Sequence, residues 1–244
     1  MSWNVFLSKI QLFLRKIYYF GNRRFCNVCN TTSRKFLRYG VSSRLDALCP
    51  FCGAVERHRF VWSYLTRKTD LFSDQPKEVL HLAPEPFFEC RLKSHLGKGY
   101  LTADLLEPDV MMNMDIMDIP FADDYFDVIL CSHVLEHVTD DRKAMREFLR
   151  VLKPHGWAIL MVPILTDKTY EDLSVTDPKE RLRLFGQEDH LRIYGPDFAD
   201  RLSESGFKVT VVSPEDIMDS SEIKRTACGN RTLYFCEVGT AKET

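Results

Sequence analysis

Residues 120–163 read PFADDYFDVILCSHVLEHVTDDRKAMREFLRVLKPHGWAILMVP. The periodicity predicts an apolar strand over 125–132, a helix over 140–152, a Pro-His-Gly turn that stops the helix, and a second apolar strand over 156–163. The alternation continues on both sides. Upstream it predicts strand 77–83, helix 86–96, strand 99–104 and a short strand near 110–114. Downstream come a long polar insert, helix 196–205, strand 207–213 and a last strand over 232–238. Strands alternating with helices imply a parallel, doubly wound α/β sheet. Ligands of such sheets bind beyond the carboxyl ends of the strands, near the switch in strand order. The informative residues are therefore those that end each strand. They are Ala83, Pro84 and Glu85 after the first, Asp104 and Leu105 after the second, Asp115 and Ile116 after the short one, and Ser132 and His133 after the fourth.

The chain has 244 residues, enough for one large α/β domain and a small module. At 45% hydrophobic and 28% charged it has the composition of a soluble globular protein, with no internal repeat and no apolar stretch long enough to span a bilayer. The net charge of −2 conceals an asymmetry. Residues 1–68 hold thirteen basic residues against two acidic ones, a net +11, and the remainder carries −13. A basic arm beside an acidic body implies an anionic partner such as lipid headgroups, a phosphorylated carrier or RNA; otherwise the arm docks on the acidic body itself.

Within that arm, Trp3, Phe6, Leu7, Ile10, Phe13, Leu14 and Ile17 follow helical spacing opposite a polar, cationic face. Two readings stand: a helix in a membrane interface, or a helix capping the protein's own core. The aromatic residues and the basic residues that follow favour the membrane. Next comes a C-x2-C-x19-C-x2-C pattern, formed by Cys26, Cys29, Cys49 and Cys52. Each C-x2-C makes a tight knuckle with two sulfurs on one side, and two knuckles surround a tetrahedral ion. Zinc is the expected metal, and with four thiolates the site is structural. Cys90, Cys131, Cys228 and Cys236 are scattered. Thiolate ligands suit a reducing cytoplasm better than a disulfide framework does. A helix follows Gly53, and the set Glu56, Arg57, His58 and Arg59 near its start is either solvated or turned to a substrate cleft.

The insert TYEDLSVTDPKERLRLFGQEDHLRIYG, residues 169–195, is dense in acids, bases and donors. His190 is a candidate base, oriented by Asp189 or Glu188, and Arg192 a candidate holder of an anionic substrate group. The plainer reading is a solvated lid with local ion pairs. His133 is the candidate for the pocket and shares a face with Glu136, whereas His137 is expected to support the turn.

The order of segments over residues 77–238, and 120–163 above all, resembles a class I S-adenosylmethionine-dependent methyltransferase of the type-11 group. The first seventy residues are similar to the cysteine-rich lead of a bacterial subgroup. The resemblance implies a Rossmann-like seven-strand sheet with its last strand antiparallel, and S-adenosylmethionine across the carboxyl edge. It assigns the ribose to Asp104, the adenine to Asp115 and Ile116, and the methionine side and acceptor to Ser132 and His133. There is one departure. The family's Asp-x-Gly-x-Gly-x-Gly loop matches His81, Ala83, Glu85 and Phe87, so all three glycines are replaced. Glycines let a backbone approach a pyrophosphate, but this cofactor carries a sulfonium and an ammonium instead. Glu85 is suited to the ammonium, and Pro84 and Pro86 stiffen the turn.

The expected organisation is an amphipathic helix over 1–22, a zinc-ribbon-like module with its linking helix over 23–70, and the methyltransferase domain over 71–244. The expected activity is methyl transfer to a small-molecule, glycan or lipid-linked acceptor by a cytoplasmic protein, at the inner face of a membrane. An RNA methyltransferase that grips RNA with the basic ribbon, and a non-catalytic methyltransferase-like binding protein, are the alternatives.

Overall fold

A computed structural model describes residues 14–40 and 43–239. The expected amphipathic helix lies mostly outside these residues; its end, 14–18, is helical. In chain order the elements are β1 (Arg24–Cys26), β2 (Thr31–Ser33), β3 (Leu37–Tyr39), β4 (Arg44–Leu48), α1 (Glu56–Lys68), β5 (Val79–Leu82), α2 (Pro86–Leu96), β6 (Tyr100–Asp104), β7 (Met112–Asn113), β8 (Phe126–Ser132), α3 (Asp141–Val151), β9 (Leu152–Met161), β10 (Tyr170–Glu171), α4 (Pro178–Phe185), β11 (Arg192–Ile193), α5 (Phe198–Glu204), β12 (Phe207–Val212), α6 (Ser220–Thr226) and β13 (Leu233–Val238). They form two compact units. One holds residues up to Phe72 together with Ser213–Arg231, and the other holds Ser73–Val212 and the chain from Thr232. The contiguous boundaries expected from the sequence therefore differ in one respect: α6 and its flanks cluster with the cysteine module.

In the first unit, two short hairpins, β1–β2 and β3–β4, carry the cysteine knuckles. Helix α1 packs against them through Arg59, which is fully buried. Its guanidinium donates to the carbonyls of Ala54 at 2.7 Å, Ala47 at 2.9 Å and Thr226 at 2.5 Å, and lies over the Phe36 ring. Glu56 is buried too, paired with Arg44 at 3.0 Å and Arg231 at 3.2 Å. His58 Nδ1 accepts from the Val55 amide at 3.0 Å, at the start of the helix. Glu56, His58 and Arg59 thus hold the module together and face no cleft.

The second unit is built on a seven-stranded sheet in the order β12-β13-β9-β8-β5-β6-β7. β13 is antiparallel to both neighbours, and the remaining pairings are parallel. The last strand is antiparallel, as expected. All four residues of β5 are buried, as a central strand covered on both faces requires. The core includes Leu80, Leu82, Phe126, Ile129, Phe148 and Leu160, and each such side chain contributes about 1.5–3 kcal/mol when fully buried. Helix α3 starts where the Asp140 carboxylate accepts from the Lys143 amide at 2.8 Å, an N-cap. It buries Ala144, Met145, Phe148 and Val151 on one face, and β9 follows it directly.

The polar insert is not a plain lid. Asp177 caps α4, Pro178 opens it and Gly186 closes it at φ +88°. β10 and β11 then pair antiparallel. From β11, Arg192 projects inward, fully buried. It donates to the carbonyls of Leu135 at 2.7 Å, Val138 at 2.5 Å and Thr139 at 3.2 Å, and to Glu171 at 3.0 Å. The Tyr194 hydroxyl donates to Asp141 at 2.8 Å, with the Leu135 carbonyl 3.2 Å away. Arg201 completes the network on Asp141 and Glu171. Arg192 is therefore a buried clamp on the loop after β8, with four of its five N–H donors spent on three carbonyls and Glu171, and not a holder of a substrate anion; Tyr194 is buried in the same network. Removing one member of a buried ionic network strands the others. Arg192→Ala should lower unfolding free energy by about 3–5 kcal/mol, measured by denaturant melting.

Candidate functional site

Strand register puts the strand-end residues on one edge. Leu82 lies opposite Ala103 and Cys131, and Cys131 opposite Leu160. The next row therefore contains Ala83, Asp104, Ser132 and Met161, on strands about 4.8 Å apart. Between β5 and β8 the strand order reverses, which is the switch point where α/β sheets bind ligands.

The turn after β5 keeps a glycine-like backbone without glycine. Ala83 adopts φ +45°, and its amide donates to the Ala103 carbonyl at 2.9 Å. A left-handed conformation costs a β-carbon about 1 kcal/mol or more, and such residues collect at functional turns. Pro84 follows, Glu85 stands at the N-cap position of α2 without a capping hydrogen bond from its side chain, and Pro86 is the first residue of the helix. His81, buried on β5, has Nε2 3.2 Å from Glu85 Oε2 and Nδ1 2.7 Å from the Tyr100 hydroxyl. A carboxylate only accepts, so Nε2 carries the proton and Nδ1 accepts from the phenol. Burial, followed by the nearby Glu89 and Glu85 charges, pushes the Tyr100 pKa up, which keeps that proton in place. The position of the family's aspartate is thus filled by an imidazole that orients an acid four residues on.

Asp104 ends β6. Its Oδ1 accepts from the amides of Leu106 at 2.8 Å and Glu107 at 3.0 Å, while Oδ2 has no partner among the described residues. Leu105 beside it is 59% exposed. Asp115 Oδ1 accepts from the Met117 amide at 2.8 Å. Ile116 is buried in the core cluster, which leaves its backbone as the part that can meet a ligand.

Ser132 is half-buried at the end of β8. His133 sits at φ +59°, its amide bonded to the Met161 carbonyl at 2.9 Å, with its side chain half-buried. Its Nδ1 lies 3.3 Å from Glu136 Oε1. His190 falls beside the same turn, because the Leu191 amide donates to the Glu136 carbonyl at 2.9 Å. The His190 ring packs edge-on to His137, 4.7 Å between centroids. Burial holds the His190 pKa below the usual histidine value. The sequence led us to expect Asp189 or Glu188 to orient it, and neither does: the Phe185 carbonyl faces its Nδ1 at 3.1 Å, and Asp189 pairs with His137 at 3.2 Å. So His133 and His190 belong to one cluster, joined by Glu136 and His137. Sequence reading put Glu136 only on the face of His133. Its E-H pair next to the H of QEDH carried the signal, but the 52 residues between His137 and His190 hid their contact.

In the first unit the four cysteines converge. Cys26 and Cys52 sulfurs are 3.6 Å apart, those of Cys29 and Cys49 3.7 Å, and all four lie within 4.8 Å of one another. A tetrahedral zinc with 2.3 Å bonds needs sulfurs about 3.8 Å apart. The second knuckle has the backbone such a site uses: Gly53 at φ +80° donates to the Cys49 carbonyl at 3.1 Å, and the Phe51 amide faces the Cys49 sulfur at 3.5 Å. These four residues could hold one zinc ion.

Known proteins were compared with this chain. The methyltransferase domain family matches residues 95–160. A ubiquinone/menaquinone biosynthesis C-methyltransferase of Vibrio campbellii is 52% identical over 44 residues, 18% of this chain and 17% of that protein. A demethylmenaquinone methyltransferase of Clavibacter sepedonicus is 43% identical over 80 residues, 33% of this chain and 31% of that one. The match thus spans about a sixth of the length of the first relative and under a third of the second. An S-adenosylmethionine-dependent methyltransferase structure from Mesorhizobium loti aligns over 72% of this chain and 96% of its own, at 16% identity and a TM-score of 0.48.

His81→Leu leaves the buried Tyr100 hydroxyl unpaired and should cost about 1–3 kcal/mol of stability in a denaturant titration. Residues 95–160, which lie on the seven-stranded sheet, match the methyltransferase domain.

Proposed function

We propose that the α/β unit is an S-adenosylmethionine-dependent methyltransferase. The observation that carries this reading is the row Ala83, Asp104 and Ser132 at the switch point of a sheet whose residues 95–160 match a methyltransferase domain. Asp104 Oδ2 is the acceptor for the ribose hydroxyls, Asp115 and the Ile116 backbone meet the adenine, and Leu105 covers it. His81, Ala83, Pro84 and Glu85 form the methionine side, where Glu85 receives the ammonium. No phosphate has to be approached there, so the missing glycines leave the chemistry intact. Transfer from a sulfonium is an in-line displacement, achieved mostly by holding the acceptor atom on axis. His133, with Ser132, faces the acceptor side and serves as the base when the acceptor is a hydroxyl; His190 supports it through the shared cluster. Cys26, Cys29, Cys49 and Cys52 bind a structural zinc.

The acceptor is a small molecule, glycan or lipid-linked compound, and the protein works at a membrane surface. Leu14, Ile17, Tyr18 and Phe20 are exposed beside Arg15 and Lys16, a combination that supports interfacial binding. No helix among the described residues is long and apolar enough to cross a membrane. A second reading, RNA as acceptor, is favoured by a groove of about 600 Å³ in the first unit lined by Arg23, Arg24, Lys224 and Arg225.

Calorimetry should give binding of S-adenosylmethionine that Asp104→Ala weakens about tenfold to a hundredfold, the loss of one charge-assisted hydrogen-bond set. Absence of binding to the intact chain would leave a non-catalytic scaffold. Deleting residues 1–20 should abolish co-sedimentation with anionic vesicles; retention of salt-sensitive RNA binding without any vesicle binding would favour the RNA reading.

A further inference from the structure

The turn after β8 buries a carboxylate whose charge nothing in the described structure balances by hydrogen bonding. Glu136 is 1% exposed, and neither of its oxygens has a hydrogen-bond partner. His133 Nδ1, 3.3 Å from Oε1, is within ion-pair range but not aligned for a hydrogen bond. The nearby cation, Arg192, spends its donors on Glu171 and on the carbonyls of Leu135, Val138 and Thr139. The cavity bordered by Glu136, His190, Arg192 and Tyr194 is too tight to hold a water molecule that could take their place.

The two histidines beside it are prepared as acceptors. His190 is 3% exposed, and its Nδ1 faces the Phe185 carbonyl, so Nδ1 holds the proton and Nε2 presents a lone pair. That Nε2 is buried and has no partner. His137 turns Nδ1 to Asp189, which leaves its other nitrogen as the acceptor. One donor atom from each of Glu136, His137 and His190 lies within 4.8 Å of the others. A lone anion and two imidazole lone pairs gathered out of water repel one another unless a cation lies among them.

We propose that Glu136, His137 and His190 bind a divalent first-row transition-metal ion. Two imidazoles and one carboxylate suit zinc, manganese, cobalt or ferrous iron. Metal-bound histidines donate their second nitrogen to a carbonyl or carboxylate, which is what Phe185 and Asp189 supply. Ligands about 2.1 Å from an ion stand at most about 4.2 Å apart, so any pair of these atoms wider than that closes up on binding. Three protein ligands leave a coordination position open. The ion's role in turnover rests on the methyltransferase reading: it would bind an acceptor oxygen and lower its pKa next to His133. Its binding does not depend on that reading.

The test uses the full chain, stripped with chelator, dialysed against zinc and assayed for metal per chain. The expected result is two equivalents, one on the cysteines and one on this cluster. His137→Ala, at a half-exposed position, and Glu136→Gln, of unchanged shape, should each retain only one. Cys26→Ser with Cys29→Ser should lose the other. In chelator, Glu136→Gln should melt no lower than the native chain, because it removes a buried charge; on adding zinc the native chain should gain more in melting temperature than the variant. A single equivalent that disappears with the cysteine variants, or two equivalents persisting in both His137→Ala and Glu136→Gln, overturns the site. A zinc-loaded protein that binds no S-adenosylmethionine would overturn the methyltransferase reading and leave the metal site standing.

Discussion

The buried guanidinium of Arg192 organises the β8 side of the carboxyl edge of the α/β unit. It takes hold of three carbonyls of the turn after β8 while Glu171 neutralises it and Asp141 ties it to Tyr194 and Arg201. Desolvating such a charge is costly, and the cost is offset by the three carbonyls and two carboxylates gathered around it. The return is geometric. The insert cannot drift from the turn, so His190 stays against His137 and Glu136. An apolar residue of similar volume would fill the space without fixing the path of the chain, since only directional donors specify where three carbonyls point.

The opposite side of the edge solves a different problem. A cofactor turn usually relies on glycines for left-handed backbone and close approach. Here Ala83 accepts the left-handed conformation, the flanking prolines restrict what the turn can do, and His81 ties the turn to Tyr100. Rigidity replaces permissiveness. A positively charged ligand group is well matched by an acid held through a neutral imidazole, whereas a phosphate would not be.

The fold was largely legible because its signals are local. Apolar runs such as Phe126–Ser132, the Asp140 cap and the apolar stripe of α3 declare strand and helix without reference to anything distant. The helix in the polar insert was not read, although Asp177-Pro178 at its start and Gly186 at its end carry its signals, because the charge density around it read as lid. What could not be read was the use of charge. Arg59, Arg192 and Glu56 look like surface residues in sequence, yet all three are buried, because their partners lie on other elements.

The sequence by itself determined the order of the main strands of the seven-stranded sheet and of the helices between them, the spacing of the four cysteines and the residues at the end of each of those strands. Short-range periodicity and fixed backbone geometry suffice for those. Only the tertiary structure decided that Ser213–Arg231 joins the cysteine module, and that Glu136, His137 and His190 meet. It also decided that Arg192 clamps a loop instead of facing solvent. Each of these depends on contacts between segments far apart in the chain, and a residue's neighbours in sequence carry no information about its neighbours across a fold.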